Sequence, residues 1–296
     1  VTILTIQLLN SLFYAAVLFL IAAGLSLIYG VMRIVNLAHG SFYALGAYVS
    51  AWAVGGAIGS VLGGTLGLVG LFLILPIGAF AVAALGAIVE PTLLRPLYRR
   101  PEEYHLLITF GLLMIIEDML KLVFGGTPLT AGAIVDRMGS IPVGNLLYPV
   151  YNLLVILIGL AAAFAVWWFI YRTKFGVILR ATSEDRRMAA ALGIDVGRVY
   201  VQAFALGCFM AGLGGAVVVP AQAAVLGMGI ESLILAFVVV VIGGLGSLEG
   251  ALVGALIVSL VRTAGIQFFP EIELAVLYLI ATAVLLVRPT GLFGRA

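Results

Sequence analysis

The chain carries no charged side chain before Arg33, and the same pattern returns along its length: long apolar runs interrupted only by glycine, proline or short charged segments. A helix needs roughly 20 apolar residues to cross a bilayer, whereas a barrel strand needs roughly 10 with strict alternation. These runs are continuous and show no alternation, so they predict helices. They fall at Leu8–Val31, Leu37–Ile58, Val61–Val89, Leu106–Phe124, Leu153–Tyr171, Val199–Val219, Leu233–Gly246, Ala251–Val261 and Leu274–Val287. The seventh and eighth are short and are divided by Gly243-Gly244-Leu245-Gly246-Ser247-Leu248-Glu249-Gly250, either a tight hairpin or one helix broken within the membrane. Nine crossings are expected, within a range of about eight to ten. Composition agrees: the chain is 64% hydrophobic and 9% charged, with a mean hydropathy of +1.27. A soluble domain is about a quarter charged, so soluble globular, disordered and nucleic-acid-binding classes are excluded. The expected fold is all-α, a polytopic integral membrane protein whose residues 1–296 form one transmembrane domain.

Other totals narrow little. The net charge of +2 implies no polyanionic partner, and Cys208 as the single cysteine excludes an intrachain disulfide. Two histidines and one cysteine give a metal site little support, and nothing calls for a cofactor. The uncharged N-terminal run reads as a first span rather than a secretory signal.

Orientation follows from the basic residues. Arg172, Lys174, Arg180, Arg186, Arg187 and Arg198 lie within residues 172–198, six of the chain's 15 Lys and Arg. That loop is therefore placed in the cytoplasm. Counting crossings from it puts Arg95, Arg99, Arg100, Arg288 and Arg295 on the same side, with Glu271 and Glu273 outside. Arg262 fits this pattern less well, and is expected to snorkel or to pair with Glu271 or Glu273.

The basic loop contains a short helix with both ends marked. Thr182 or Ser183 can cap it, Glu184 and Asp185 suit the positive end of its dipole, and Gly193 suits a left-handed C-terminal cap. At about ten residues it is too short to stand alone in water, so it is expected to pack on neighbouring spans or on another protein.

The order of residues in this loop resembles the permease subunit of bacterial ABC importers for branched-chain and other hydrophobic amino acids. The matching residues are Arg180-Ala181-x-x-Glu184-Asp185-x-x-Met188-Ala189-x-x-Leu192-Gly193-Ile194, followed by Arg198-Val199. Three further blocks are similar to the same family: Gly24 to Tyr43, Ile242 to Ala251, and Arg288-Pro289-x-Gly291-Leu292-Phe293-Gly294. The resemblance implies that the loop docks onto an ATPase, through residues among Arg180, Glu184, Asp185, Met188, Ala189, Leu192 and Gly193. It implies a second permease subunit, similar or identical, two cytoplasmic ATP-binding subunits and a soluble substrate-binding protein on the outer face. It also implies a bacterial inner-membrane location and a substrate such as leucine, isoleucine or valine. The loop departs from the broader importer pattern Glu-Ala-Ala-x-x-x-Gly, since Asp185 follows Glu184. Which side chains touch the ATPase is therefore open.

No phosphate-binding loop can be built from this chain, because its two lysines, Lys121 and Lys174, are followed by Leu122 and Phe175 rather than Ser or Thr. The chain is not expected to be an enzyme, and ATP hydrolysis would belong to partner subunits. The rival reading is an ion-coupled secondary transporter, or a channel for a small polar solute such as urea or an amide. That reading would use the ionisable residues of the fourth run. There Glu117 and Lys121 are spaced for an ion pair on one helical face, leaving Asp118 without such a partner.

The segment around Gly40 is polar for its position. It is either an ordinary loop or a re-entrant, broken helix whose backbone lines a pathway. The second form makes Asn36, His39, Ser41 and Tyr43 candidates for a translocation pathway or gate, with Gly244 and Gly246 at the second break. His39 alone reads more simply as a hydrogen-bonded structural histidine. A weak repeat, Leu37-x8-Gly46-Ala47 against Leu245-x8-Gly254-Ala255, hints at an inverted duplication with broken helices.

Overall fold

The computed structural model describes residues 2–98, 100–268 and 270–294, without the side chains of residues 273 and 274. In chain order the elements are α1 (Thr2–Met32), α2 (His39–Gly55), α3 (Ala57–Thr65), α4 (Gly67–Ile74), α5 (Ile77–Val89), α6 (Glu102–Phe124), α7 (Ala133–Met138), β1 (Ser140–Val143), β2 (Leu146–Pro149) and α8 (Val150–Arg172). They continue with α9 (Lys174–Glu184), α10 (Arg186–Ala191), α11 (Val196–Val218), α12 (Met228–Gly243), α13 (Leu248–Phe268) and α14 (Glu273–Val287). Helices occupy all nine apolar runs. Among the described residues five stretches are long and apolar enough to cross a membrane, α1, Gly67–Leu97, α8, α11 and α13, and the α2–α3 pair, bent by 58°, makes a sixth. The other three fall short for visible reasons. Helix α6 carries Glu117, Asp118 and Lys121, while α12 and α14 have only 16 and 15 residues.

Two boundaries differ from the sequence expectation. The second run does not end at Ile58: the helix breaks at Gly56 and resumes as α3, with the third run starting at Gly67. Glycine allows the sharp bend, because a Cβ on Gly59 would lie 1.8 Å from the Val54 carbonyl oxygen. The Gly243–Gly250 segment takes the hairpin form, with α12 and α13 packed together on either side of it. The small β1–β2 hairpin, in register Val143↔Leu146 around Gly144-Asn145, was not anticipated. Gly144 has φ 63, as a two-residue hairpin turn requires.

Helix α1 forms the centre. It is apolar on every side, which suits a helix enclosed by others, and Leu20, Ile21, Ala22 and Ala23 are wholly buried. It packs against α8, α11, α12 and α13. Small residues permit this close approach. A Cβ on Gly24 would fall 2.5 Å from the Gly207 carbonyl of α11, and one on Gly46 of α2 would meet Gly212 at 2.4 Å. By contrast α8, equally apolar, buries only Tyr151, Val155, Gly159 and Ile170 fully and exposes Leu157, Leu160, Phe164, Trp167 and Trp168.

The two ends of the bundle are distinct. At one, Thr2 lies against Gly144, Gln7 hydrogen-bonds Gln267, and Leu129 pairs with Ala224. At the other lie Arg33, Arg100, the α9–α10 segment and the C-terminal residues 291–294. Basic residues therefore gather at one end, opposite the start of α1, as an odd number of crossings requires. Arg99 and Arg295 lie outside the described residues.

Candidate functional site

The basic loop folds as two helices rather than one. Thr173 caps α9, its Oγ1 accepting from the Gly176 amide at 3.1 Å. The chain then breaks at Asp185 (φ −144), whose carboxylate accepts from the Arg187 and Met188 amides at 2.8 and 3.0 Å. Asp185 is thus the cap of α10, and neither Thr182 nor Ser183 is. Thr182 is buried and bonds back to the Ile178 carbonyl, and Ser183 to that of Arg180. The amides of Met188 and then Arg187 hold the Asp185 carboxyl below the usual carboxylate range. Gly193 takes φ 86, and the Gly193 and Ile194 amides close the helix on Ala190 and Ala189, as expected of a C-terminal cap.

This capped segment presents a defined face. Met188 and Leu192 are 58% and 76% exposed, one helical turn apart, with Arg186, Arg187, Ala190 and Ala191 also exposed. Ala189 alone turns inward, at 2%. Arg180 faces away from this surface, its guanidinium over the Tyr171 ring at 5.0 Å, and Tyr171 donates to Glu249 at 2.7 Å.

Behind α10 a groove of about 500 Å³ opens between Arg33, Tyr98, His105, Thr182 and Tyr200. Tyr98 on its wall is held by a residue that the sequence reading missed. Glu90 is wholly buried within a π-helical turn, Glu90–Leu94. It accepts from Arg95 at 2.9 Å and from the Tyr98 hydroxyl at 2.5 Å, and Arg95 also donates to the Gly197 carbonyl at 2.9 Å. The cluster fastens the end of α5 to the start of α11. An isolated glutamate just after a span is the one signal that could have marked it, since π-turns collect at functional positions.

Three of the four sequence blocks meet beside this groove. Gly246 packs on Gly30, and Ser26 of α1 donates to the Ser247 carbonyl at 3.1 Å. The last block folds onto the end of α12, where the Leu292 and Phe293 amides donate to the Ile242 and Gly243 carbonyls, both at 2.9 Å. Helix-end carbonyls left without partners are costly in a membrane. Gly244, buried, and Gly246, exposed beside Gly30, are thus turn residues at the basic end, with φ 107 and 81.

Asn36, His39, Ser41 and Tyr43 lie elsewhere. Arg33, with φ 58, turns the chain back at the end of α1, and residues 33–38 run into the bundle instead of away from it. His39 Nε2 stands 2.9 Å from the Ile21 carbonyl, eleven residues before Met32, which is about 16 Å along α1. Asn36 Oδ1 accepts from the Ala38 amide at 3.1 Å, and Ser41 donates to Leu113, half-way along α6. Helix α2 therefore begins deep inside the layer, in the re-entrant form. So does α12: a Cβ on Gly40 would sit 2.0 Å from the Gly229 carbonyl in its first turn. The two helices start side by side and run to opposite ends. The weak repeat would pair α2 with α13, whereas the structure sets the start of α2 against that of α12.

Two expected ion pairs take other partners. Glu117 does not pair with Lys121: it accepts from the Gly227 amide at 3.3 Å, in the turn before α12, while Asp118 and Lys121 are exposed on α6. Arg262 pairs with Glu231 at 2.9 Å rather than with Glu271, and the side chain of Glu273 lies outside the described residues.

The family profile described as "Branched-chain amino acid transport system / permease component" matches residues 7–287. The high-affinity branched-chain amino acid transport system permease protein BraD of Pseudomonas aeruginosa is 28% identical, over 98% of this chain and 95% of the relative. LivH of Escherichia coli, a permease protein of the same description, is 27% identical over the same shares. Among solved structures, an inward-facing metal-chelate type ABC transporter aligns with a TM-score of 0.51 and 19% identity, over 95% of this chain and 86% of that one, and shares the fold. An all-α membrane bundle, a capped helix on its basic face and a match along nearly the whole sequence agree: this chain belongs to the family of permease components of branched-chain amino acid ABC transport systems.

Proposed function

We propose that this chain carries branched-chain amino acids across a bacterial inner membrane, powered by ATP hydrolysis on separate subunits. The observation that carries the proposal is α10, a six-residue helix fixed at both ends by Asp185 and Gly193, with Met188 and Leu192 exposed on the basic face. A short exposed helix with an apolar face suits docking into a groove on another protein. On this reading the whole chain is one transmembrane permease domain of nine spans, and residues 172–198 are its coupling loop. Two ATP-binding subunits engage two permease copies or a closely similar pair, and a binding protein delivers substrate outside. ATP binding draws the ATPases together and pulls α10. The pull reaches the bundle through α9 and the Glu90 cluster and reorients spans around the buried starts of α2 and α12. Asn36, His39, Ser41 and Tyr43 belong to that gate, and Gly244 and Gly246 form the turn that lets α12 move against α1.

The exposure of Asp118 and Lys121 on α6 supports a partner permease as well. Charges facing lipid are costly, so this face is expected to meet protein or an aqueous path. The same exposure is what a self-sufficient, ion-coupled transporter or channel would show. Reconstitution separates the two. The importer reading predicts leucine uptake only when the chain is assembled with its ATPases, ATP and binding protein. Uptake by the chain alone, driven by an ion gradient, would establish the rival.

A further inference from the structure

We infer that the outer end of this chain contains a transit site for a zwitterionic amino acid with a small aliphatic side chain; this deepens the import reading and rests on it. A cavity of about 150 Å³ lies among α1, α2, α12 and α13, near the end opposite the basic face. One wall is polar. Arg262 donates to Glu231 at 2.9 Å, its guanidinium lies over the Tyr14 ring at 5.4 Å, and Gln222 donates to the Tyr14 hydroxyl at 3.2 Å. The other wall is formed by Val17, Ile21 and Leu235.

An open cavity of about 150 Å³ has room for a group of about the size of benzene. The side chain of Arg262 is only 17% exposed, so this cation is withdrawn from water, whereas Glu231, at 63%, faces the mouth. A fixed cation and a fixed anion beside an apolar pocket match one ligand chemistry. The carboxylate lies on the guanidinium, which offers five donors; the ammonium lies on the glutamate; and the aliphatic group fills the space against Val17 and Leu235. The site adjoins the buried crossing directly, since Ile21 gives its carbonyl to His39 and Tyr43 of α2 also lines the cavity. Ligand leaving the binding protein would therefore rest against the two helix starts that the gate moves.

The test uses the assembled complex with Cys208 replaced by alanine and Ala223→Cys at the exposed mouth. A membrane-impermeant thiol reagent is applied from outside, with leucine or with 4-methylpentanoate, which lacks the ammonium. Leucine is expected to slow labelling by about tenfold while the analogue does not, and Arg262→Gln and Glu231→Gln each raise the leucine needed by about tenfold or more. The double exchange Arg262→Glu with Glu231→Arg keeps the ion pair but reverses its polarity, so the complex should remain folded yet unprotected. Unchanged labelling under saturating leucine, in a complex that imports leucine, overturns the site and leaves the import reading standing. Full protection and import in the exchanged pair also overturn it, by showing that the pair is only a structural tie. Protection without any import would keep the site and refute the import reading.

Discussion

The crossing of α2 and α12 and the α9–α10 loop are built from opposite materials. At the crossing, backbone meets backbone, Gly40 against Gly229, and α2 sits as tightly on α11, with Gly46 against Gly212 and the Tyr43 carbonyl 2.1 Å from where a Cβ on Gly215 would stand. At the loop, side chains project into open space, and of residues 186–193 only Ala189 is buried. The first region has no volume to spare and the second has nothing behind it to fill. A close-packed interior passes displacement on rather than absorbing it. A pull on the exposed helix would then become a movement of spans, provided that the crossing holds. Substitutions should therefore separate the regions cleanly, folding being lost at one and coupling at the other.

The largest effect is expected at the crossing. Gly40→Val places atoms where the Gly229 carbonyl already lies, at 2.0 Å from the new Cβ. Overpacking costs about 1–3 kcal/mol even where side chains can give way, and backbone cannot. Size-exclusion profiles and thermal melts should show loss of the folded protein; a wild-type melt with normal import would mean that the crossing has room to spare. Next is the double change Met188→Asp with Leu192→Asp on the exposed face. Import should fall by about tenfold or more while stability stays within about 0.5 kcal/mol, as for surface substitutions elsewhere. A matching loss of stability would mean that this face is packed within the chain.

Glu90→Gln lies between the two regions and should affect both. It leaves Arg95 without its ion pair, and because Arg95 is 43% exposed the cost should be about 1–3 kcal/mol, below that of a fully buried pair. A melt would show this, with import reduced but measurable. The smallest effect belongs to the cap. Asp185→Asn keeps an acceptor for the Arg187 and Met188 amides and should keep import close to wild type, whereas Asp185→Ala should lower it. The depressed Asp185 pKa fixes the sign of the pH effect. Its ionised cap is fully present above the ordinary carboxylate range, about pH 4, and is lost as pH falls through the depressed value, so import between about pH 6 and 8 should not depend on it.

How much was legible follows the same division. Apolar runs revealed every long helix, because in a membrane the period and length of such runs carry the whole signal. The polar patch at Asn36, His39 and Ser41 leaves an ordinary loop and a re-entrant segment both open, and the structure takes the second, with each polar group held by protein. Pairings were less accessible. Spacing along one helix suggested Glu117 with Lys121, a pair worth about 0.5 kcal/mol. The Gly227 amide, brought in by tertiary folding, takes the same carboxylate instead. Arg262 was matched with the nearest acids in sequence, yet Glu231 on the neighbouring helix stands closer in space. The cap of α10 was misplaced by two or three residues because Thr182, Ser183 and Asp185 are all good caps, and only the fold shows Thr182 turned inward. The Glu90 cluster joins residues about a hundred positions apart, which no local pattern reports.

The central claim is that another protein's ATP hydrolysis moves this one through α10. Single cysteines at Ala190 and Ala189, in a Cys208→Ala background, test it most directly, because the first position is exposed and the second is buried in this chain. Ala190→Cys should label readily in the isolated permease, become shielded in the assembled complex and crosslink to an ATP-binding subunit, while Ala189→Cys should resist labelling in both. Free labelling of Ala190→Cys in an assembled complex that imports substrate would contradict it.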